Sequence, residues 1–193
     1  MICHKHKFIF IHIPKTGGTS IESLFIKDAD IKDVPKKHHT VHDINGELLK
    51  KYYAFTFVRN PWDRMVSYYK FRIKRSFAMF NHGGSFQEWI RFLCSDDVQK
   101  IKPYHFHLAI MNQYQFLVSK SNEIPLDFIG KFENLQQDFN IICDKIGIPK
   151  QQLPHKNTTE HKHYTEYYDD ETREMVAEKY KKDIEYFGYE FGD

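Results

Sequence analysis

The stretch that most constrains this chain is IFIHIPKTGGTS, residues 9–20, where an apolar run meets proline, lysine and two adjacent glycines before a helix begins. Residues 7–13, KFIFIHI, are dense in Phe and Ile, as a buried parallel strand is. Residues 19–26 then place Ile21, Leu24 and Phe25 on one helical face. Strand, glycine turn and helix in that order open an α/β sheet. Amides at a helix start have no intrahelical acceptor, so a glycine turn leading into one can wrap an anion closely. Lys15 adds a cation, and Thr19 and Ser20 add hydroxyls.

The order of these residues excludes the common nucleoside triphosphate loop. That loop needs its lysine after the glycines, followed by a hydroxyl placed for magnesium. Here Lys15 precedes Gly17 and Gly18, and no later apolar strand ends in a clear magnesium-binding Asp.

A second junction repeats the first. YAFTFVR, residues 53–59, reads as a strand, and NPWDRMVSYY follows with Asn60 as N-cap and Pro61 at the first helical position. Arg59 therefore stands at the carboxyl end of a strand, where ligands of parallel α/β sheets collect. Ser67 lies seven residues past the cap, about 10 Å along the helix. Trp62, Met65 and Val66 read as core residues.

Other elements follow from local signals. A short helix is expected over 43–51 with Asp43 as N-cap and Leu48 and Leu49 inward, weakened by Gly46. SFQE at 85–88 is a capping box. QYQFLV and LDFIGKF read as strands, residues 134–147 as a helix from Asn134 to Gly147, and 170–184 as one final helix. The expected class is α/β: a P-loop-like single domain over residues 1–193, with a central, mainly parallel sheet flanked by helices.

Composition narrows the compartment and the partners. With 41% hydrophobic, 28% charged and 16% aromatic residues the chain is a folded globular protein. A net charge of +2 argues against nucleic acid as a partner, so any anion site is local. Cys3, Cys94 and Cys143 are odd in number and lack CxxC spacing, which suggests neither a disulfide framework nor zinc and points to a reducing cytoplasm. No apolar run approaches the roughly 20 residues of a membrane span, and the start reads as a strand rather than a signal peptide.

Together, IHIPKTGGTS and FTFVRNPWDRMVSYY resemble the two nucleotide-binding segments of sulfotransferases that use 3′-phosphoadenosine 5′-phosphosulfate (PAPS), particularly the carbohydrate-type group. The likeness continues through KHHTV, FIGKFENLQQDF, LPHKNTTEHKHYTEYYDDE and DIEYFGYEF in the same order. The resemblance implies that Lys15, Thr16, Gly17, Gly18, Thr19 and Ser20 surround the 5′-phosphosulfate. It implies that Arg59 and Ser67 hold the 3′-phosphate, and that Lys156, Asn157 and Thr158 complete the nucleotide site from a late loop.

The implied reaction is transfer of a sulfuryl group to a hydroxyl acceptor, a carbohydrate or small polar metabolite, with no metal. Negative charge grows on the departing bridge oxygen, and Lys15 is placed to offset it. A histidine suits the base that takes the acceptor's proton. Lys37, His38 and Thr40 match the family's basic-His-x-Thr pattern, so His38 is the first candidate, His39 the second and His42 the third. His38 and His42 are four apart, but they lack the HExxH glutamate and a third ligand. His4, His6, His105, His107, His161 and His163 read as surface residues, and Glu133 as structural.

Arg72, Lys74, Arg75, His105, His107 and Gln113 are candidates for an acceptor cleft, with no spacing that selects among them. The acceptor's identity and the oligomeric state are not specified by any motif. Two other readings stand beside this one. A P-loop kinase would use ATP and magnesium, and a non-catalytic nucleotide-binding protein would hold the nucleotide without a working base.

Overall fold

A computed structural model describes residues 1–26, 38–74, 84–101, 104–154 and 162–193, apart from the side chains of Tyr104 and His105. In chain order the elements are β1 (Ile2–Cys3), β2 (Phe8–Ile11), α1 (Gly18–Phe25), α2 (Gly46–Lys51) and β3 (Tyr53–Val58). Next come α3 (Pro61–Lys74), α4 (Phe86–Cys94), α5 (Tyr104–Ile110), α6 (Gln113–Leu117) and β4 (Phe128–Lys131). The last are α7 (Leu135–Ile146), α8 (Asp170–Lys179) and α9 (Lys181–Phe187).

The class is α/β, with a four-stranded sheet in the order β1-β2-β3-β4. β2, β3 and β4 run parallel, with Phe8 opposite Tyr53 and Phe55 opposite Phe128, while β1 is an antiparallel edge. The described residues fall into two compact units, 1–59 with 113–157 and 60–112 with 158–193.

The first unit contains the sheet. All four residues of β2 are buried, as a strand covered on both faces requires. Phe8, Phe10, Phe55 and Phe57 pack with Ile21 and Phe25 of α1 and Phe139, Ile142 and Cys143 of α7. α7 stops where expected, at Gly147, which takes the left-handed φ of 71°. No disulfide joins Cys3, Cys94 and Cys143.

The second unit is helical. Asn60 caps α3 by accepting the Trp62 amide through Oδ1 at 3.1 Å, and Pro61 is the first helical residue. Trp62, Met65 and Val66 enter its core, as their pattern predicts. Ser85 and Glu88 form the expected capping box, with the Ser85 amide donating to Glu88 Oε2 at 2.7 Å. Among the described residues no helix is long and apolar enough to cross a membrane.

Three expectations are corrected. Residues 113–117 form helix α6, not a strand. None of Gln, Tyr, Gln, Phe and Leu is β-branched, and Gln and Leu favour helix. Asp43 does not cap α2. It closes a capping box with Thr40 around the 3-10 turn Val41–Asp43, and Asn45 caps α2 through Oδ1 to the Glu47 amide at 2.8 Å. Gly46 is therefore the first helical residue, where it does not weaken a helix interior.

The final helix is two helices divided at Tyr180, whose φ of −109° and ψ of 21° leave the α region. Tyr180 is fully buried and its hydroxyl donates to the Ile110 carbonyl at 2.8 Å, which anchors the break in the core.

Candidate active site

The site begins where β2 ends. Lys15 has φ 73° and Gly17 φ 82°, so two left-handed residues flank Thr16 and fold the chain sharply into α1. Thr16 is buried and its hydroxyl donates to the Ile13 carbonyl at 2.9 Å, which ties the turn back to the strand. The Gly17 carbonyl accepts the Ser20 amide at 3.0 Å. The amides at the start of α1 face outward from this turn, and the first turn carries no acidic residue. A lysine held in the left-handed region costs about 1–2 kcal/mol, a strain of the kind found at functional sites.

The two glycines have different structural duties. A side chain at Gly18 would put its Cβ 2.2 Å from Cδ2 of His12, so that imidazole packs directly against the glycine. Gly17 combines its positive φ with the Leu135 side chain 2.8 Å from a would-be Cβ. Gly18→Ala is expected to lower stability by ~1–3 kcal/mol through overpacking. Gly46→Ala is the control: nothing lies within 4 Å of its would-be Cβ, and a change within about 0.5 kcal/mol is expected. Equal denaturant midpoints for the two variants would show that the His12 contact is not a constraint.

Arg59, one residue past β3, belongs to the same unit and is 7% exposed. Its Nη1 donates to the Lys15 carbonyl at 3.1 Å, and its guanidinium lies 3.9 Å over the Phe132 ring. The Arg59 amide donates to Gln113 Oε1 at 2.9 Å, and Gln113 Nε2 donates to the Arg59 carbonyl at 2.8 Å. Gln113 thus gives the strand end the pair of bonds that a neighbouring strand would give. That corrects its place among the acceptor-cleft candidates. A permanently charged guanidinium is fixed against the turn that carries Lys15.

The histidine candidates separate by environment. His38 is half-buried, and its Nδ1 lies 3.0 Å from the His12 carbonyl oxygen. A carbonyl only accepts, so Nδ1 carries the proton and Nε2 holds the lone pair. His39 is 1% exposed, with Nε2 3.1 Å from the Met1 nitrogen. His42 is exposed on the 3-10 turn. The three histidines thus differ in burial and in their hydrogen-bond partners.

Ser67 is in the second unit, 7% exposed on α3, so its pairing with Arg59 rests on the family resemblance. Lys37, Arg75, Lys156, Asn157 and Thr158 lie outside the described residues, and so does the side chain of His105. In the second unit, Arg72 Nη1 donates to the Tyr68 hydroxyl at 3.2 Å and His107 Nε2 lies 2.5 Å from the Ile101 carbonyl. Among the described residues no three His, Cys, Asp or Glu side chains are grouped as metal ligands.

Sequence reasoning missed His12 and Glu22. His12 is 2% exposed, with Nδ1 2.8 Å from Glu22 Oε1, and its ring meets that of His38 edge-on at 4.5 Å between centroids. The available signal was a polar residue near the end of an otherwise apolar strand, with a glutamate one turn beyond Gly18 on α1.

Comparison with known proteins identifies the family. The sequence profile of the sulfotransferase family matches residues 1–190, and the chain belongs to that family. It is 24% identical to carbohydrate sulfotransferase 11 of Mus musculus over 185 residues, covering 74% of this chain and 51% of that protein. It is 25% identical to carbohydrate sulfotransferase 9 of Homo sapiens over 218 residues, 93% of this chain and 47% of that protein. An uncharacterized protein of Archaeoglobus fulgidus is 31% identical over 108 residues, 56% of this chain and 78% of that protein. The chain thus spans about half the length of the carbohydrate sulfotransferases it matches.

Proposed function

We propose that the protein transfers a sulfuryl group from PAPS to a hydroxyl of a carbohydrate acceptor. The observation that carries this reading is the bond from Arg59 to the Lys15 carbonyl, which joins a strand-end guanidinium to a glycine turn beginning a helix. A phosphosulfate requires outward amides and a nearby ammonium, and the turn from Lys15 to Ser20 has both. Arg59 suits a second phosphate, the feature that distinguishes PAPS from ATP. The carbohydrate acceptor is suggested by the names of the relatives.

Bound PAPS supplies the sulfuryl group and a nucleotide leaving group that departs with added negative charge. In this reading the α1 amides and the hydroxyls of Thr19 and Ser20 hold the phosphosulfate, and Lys15 offsets the charge on the departing oxygen. His38 accepts the acceptor's hydroxyl proton at Nε2 while Nδ1 stays bonded to the His12 carbonyl. No step requires a metal ion.

The test is incubation with PAPS and a panel of mono- and oligosaccharides, following release of adenosine 3′,5′-bisphosphate. Acceptor-dependent release is expected, together with thermal stabilisation by the bisphosphate itself. Stabilisation by ATP with magnesium but not by adenosine 3′,5′-bisphosphate would replace this reading with that of a kinase. Bisphosphate binding with no transfer to any acceptor would leave a nucleotide-binding protein.

A further inference from the structure

We infer that Glu22 and His12 form a buried carboxylate–imidazole pair that positions His38 and supports the positive charge it gains on taking a proton. The inference rests on the proposed reaction only for the moment at which His38 is protonated; the pair itself is a feature of the first unit.

Three contacts define the arrangement. Glu22 stands on α1 one turn beyond Gly18, so the two share a helix face. The His12 imidazole lies along that face, seated against Gly18 where no Cβ intervenes. It is backed by a stacked contact to Phe10 at 5.5 Å between centroids. Its Nδ1 meets Glu22 Oε1 at 2.8 Å, with the imidazole 3% and the carboxylate 18% exposed. His12 then engages His38 twice, through its carbonyl at 3.0 Å to Nδ1 and through the edge-on ring contact at 4.5 Å.

These contacts make a relay of position rather than of protons. When the His12 ring is neutral, Nδ1–H donates to Glu22 and the pair carries one negative charge. The His12 carbonyl fixes the tautomer of His38, with the proton on Nδ1 and the basic lone pair on Nε2. When Nε2 takes a proton, the imidazolium lies against a carbonyl oxygen and a ring backed by a carboxylate. Both favour the charged form. A base oriented by a group that is itself oriented by a carboxylate is the logic of a hydrolase triad, reached here through a main-chain carbonyl. His12 and Glu22 are positioning residues, because the group that meets the acceptor is His38.

Other ionisable groups among the described residues lie close by. His39, next in the chain, is buried with its Nε2 against the Met1 nitrogen. Burial lowers the pKa of the Met1 amino group to about 5, against a smaller opposing effect of Glu22, so it is neutral at pH 7. Lys15 lies in the turn above, and its charge is the same in the variants compared below.

The test is the titration of the His38 imidazole by NMR in the wild type, Glu22→Gln and Glu22→Asp, beside the pH dependence of kcat/KM. Glu22→Gln keeps the shape and a hydrogen-bond acceptor but removes the charge. A lower proton affinity makes His38 lose its proton at lower pH, so its midpoint and the acid limb of the rate profile are expected to move down by ~0.5–1 unit. Turnover at pH 7 is expected to fall about 2–3-fold, since a weaker base lies below its optimum, with KM for PAPS unchanged. Glu22→Asp, which keeps the charge, is expected to return His38 to near the wild-type midpoint.

An unchanged His38 midpoint in folded Glu22→Gln overturns the inference, even where turnover falls. A midpoint shifted equally in both variants also overturns it, because the cause would be packing rather than charge. A wild type that titrates as described but transfers nothing from PAPS would defeat the proposed function and leave the pair standing.

Discussion

His38→Ala is expected to lower turnover from PAPS by ~10²–10⁴-fold, the usual contribution of a general base, while binding of adenosine 3′,5′-bisphosphate is retained. The expectation follows from His38 being half-buried with Nδ1 anchored on the His12 carbonyl, which leaves Nε2 as the proton-accepting atom. His39→Ala is the informative contrast. Its imidazole is 1% exposed, so its loss falls on stability through an unfilled core volume. His42 is exposed on its 3-10 turn, and His42→Ala is expected to resemble the wild type. The measurement is initial rate at saturating PAPS, with melting temperature alongside. A His38→Ala protein with full turnover, or a His39→Ala protein that is stable but inactive, would remove His38 from its role.

Lys15→Ala is expected to cost ~10²–10³-fold in kcat, as loss of one group that stabilises charge in a transition state does. The backbone at Lys15 makes this substitution unusually clean. Its φ of 73° is unfavourable for lysine and alanine alike, so the variant's fold should tolerate the change and its melting temperature should stay close to that of the wild type. Lys15→Gly sharpens the comparison, because glycine relieves the left-handed strain without restoring the ammonium. It is expected to be at least as stable as the wild type and as inactive as Lys15→Ala. Lys15→Gly with near-normal kcat would show that the lysine is a turn residue and that the departing charge is met elsewhere.

Much of the site's outline was legible because it is written in short-range chemistry. The glycine turn, the Asn60 cap followed by Pro61, the Ser85 and Glu88 capping box and the Gly147 stop each lie within a few residues, and each appears in the structure. Two long motifs identified the family that the profile match establishes over residues 1–190. The misreadings share a cause. Gln113 looked like part of a strand or an acceptor cleft, yet its carboxamide closes on Arg59, 54 residues away in sequence. Residues 170–184 looked like one helix, but the chain breaks at Tyr180, whose buried hydroxyl bonds to Ile110, 70 residues away.

What the amino-acid order determined by itself is the α/β class, the location of the glycine turn before α1 and the family, since caps, turns and hydrophobic period depend on neighbours along the chain. Only tertiary structure decided which of the neighbouring histidines are buried and which half-exposed, why a side chain at Gly18 would meet His12, and that Glu22 stands behind His12. Those answers depend on burial and on partners brought together by packing. The His38 contact with the His12 carbonyl spans 26 residues, and no local pattern encodes it.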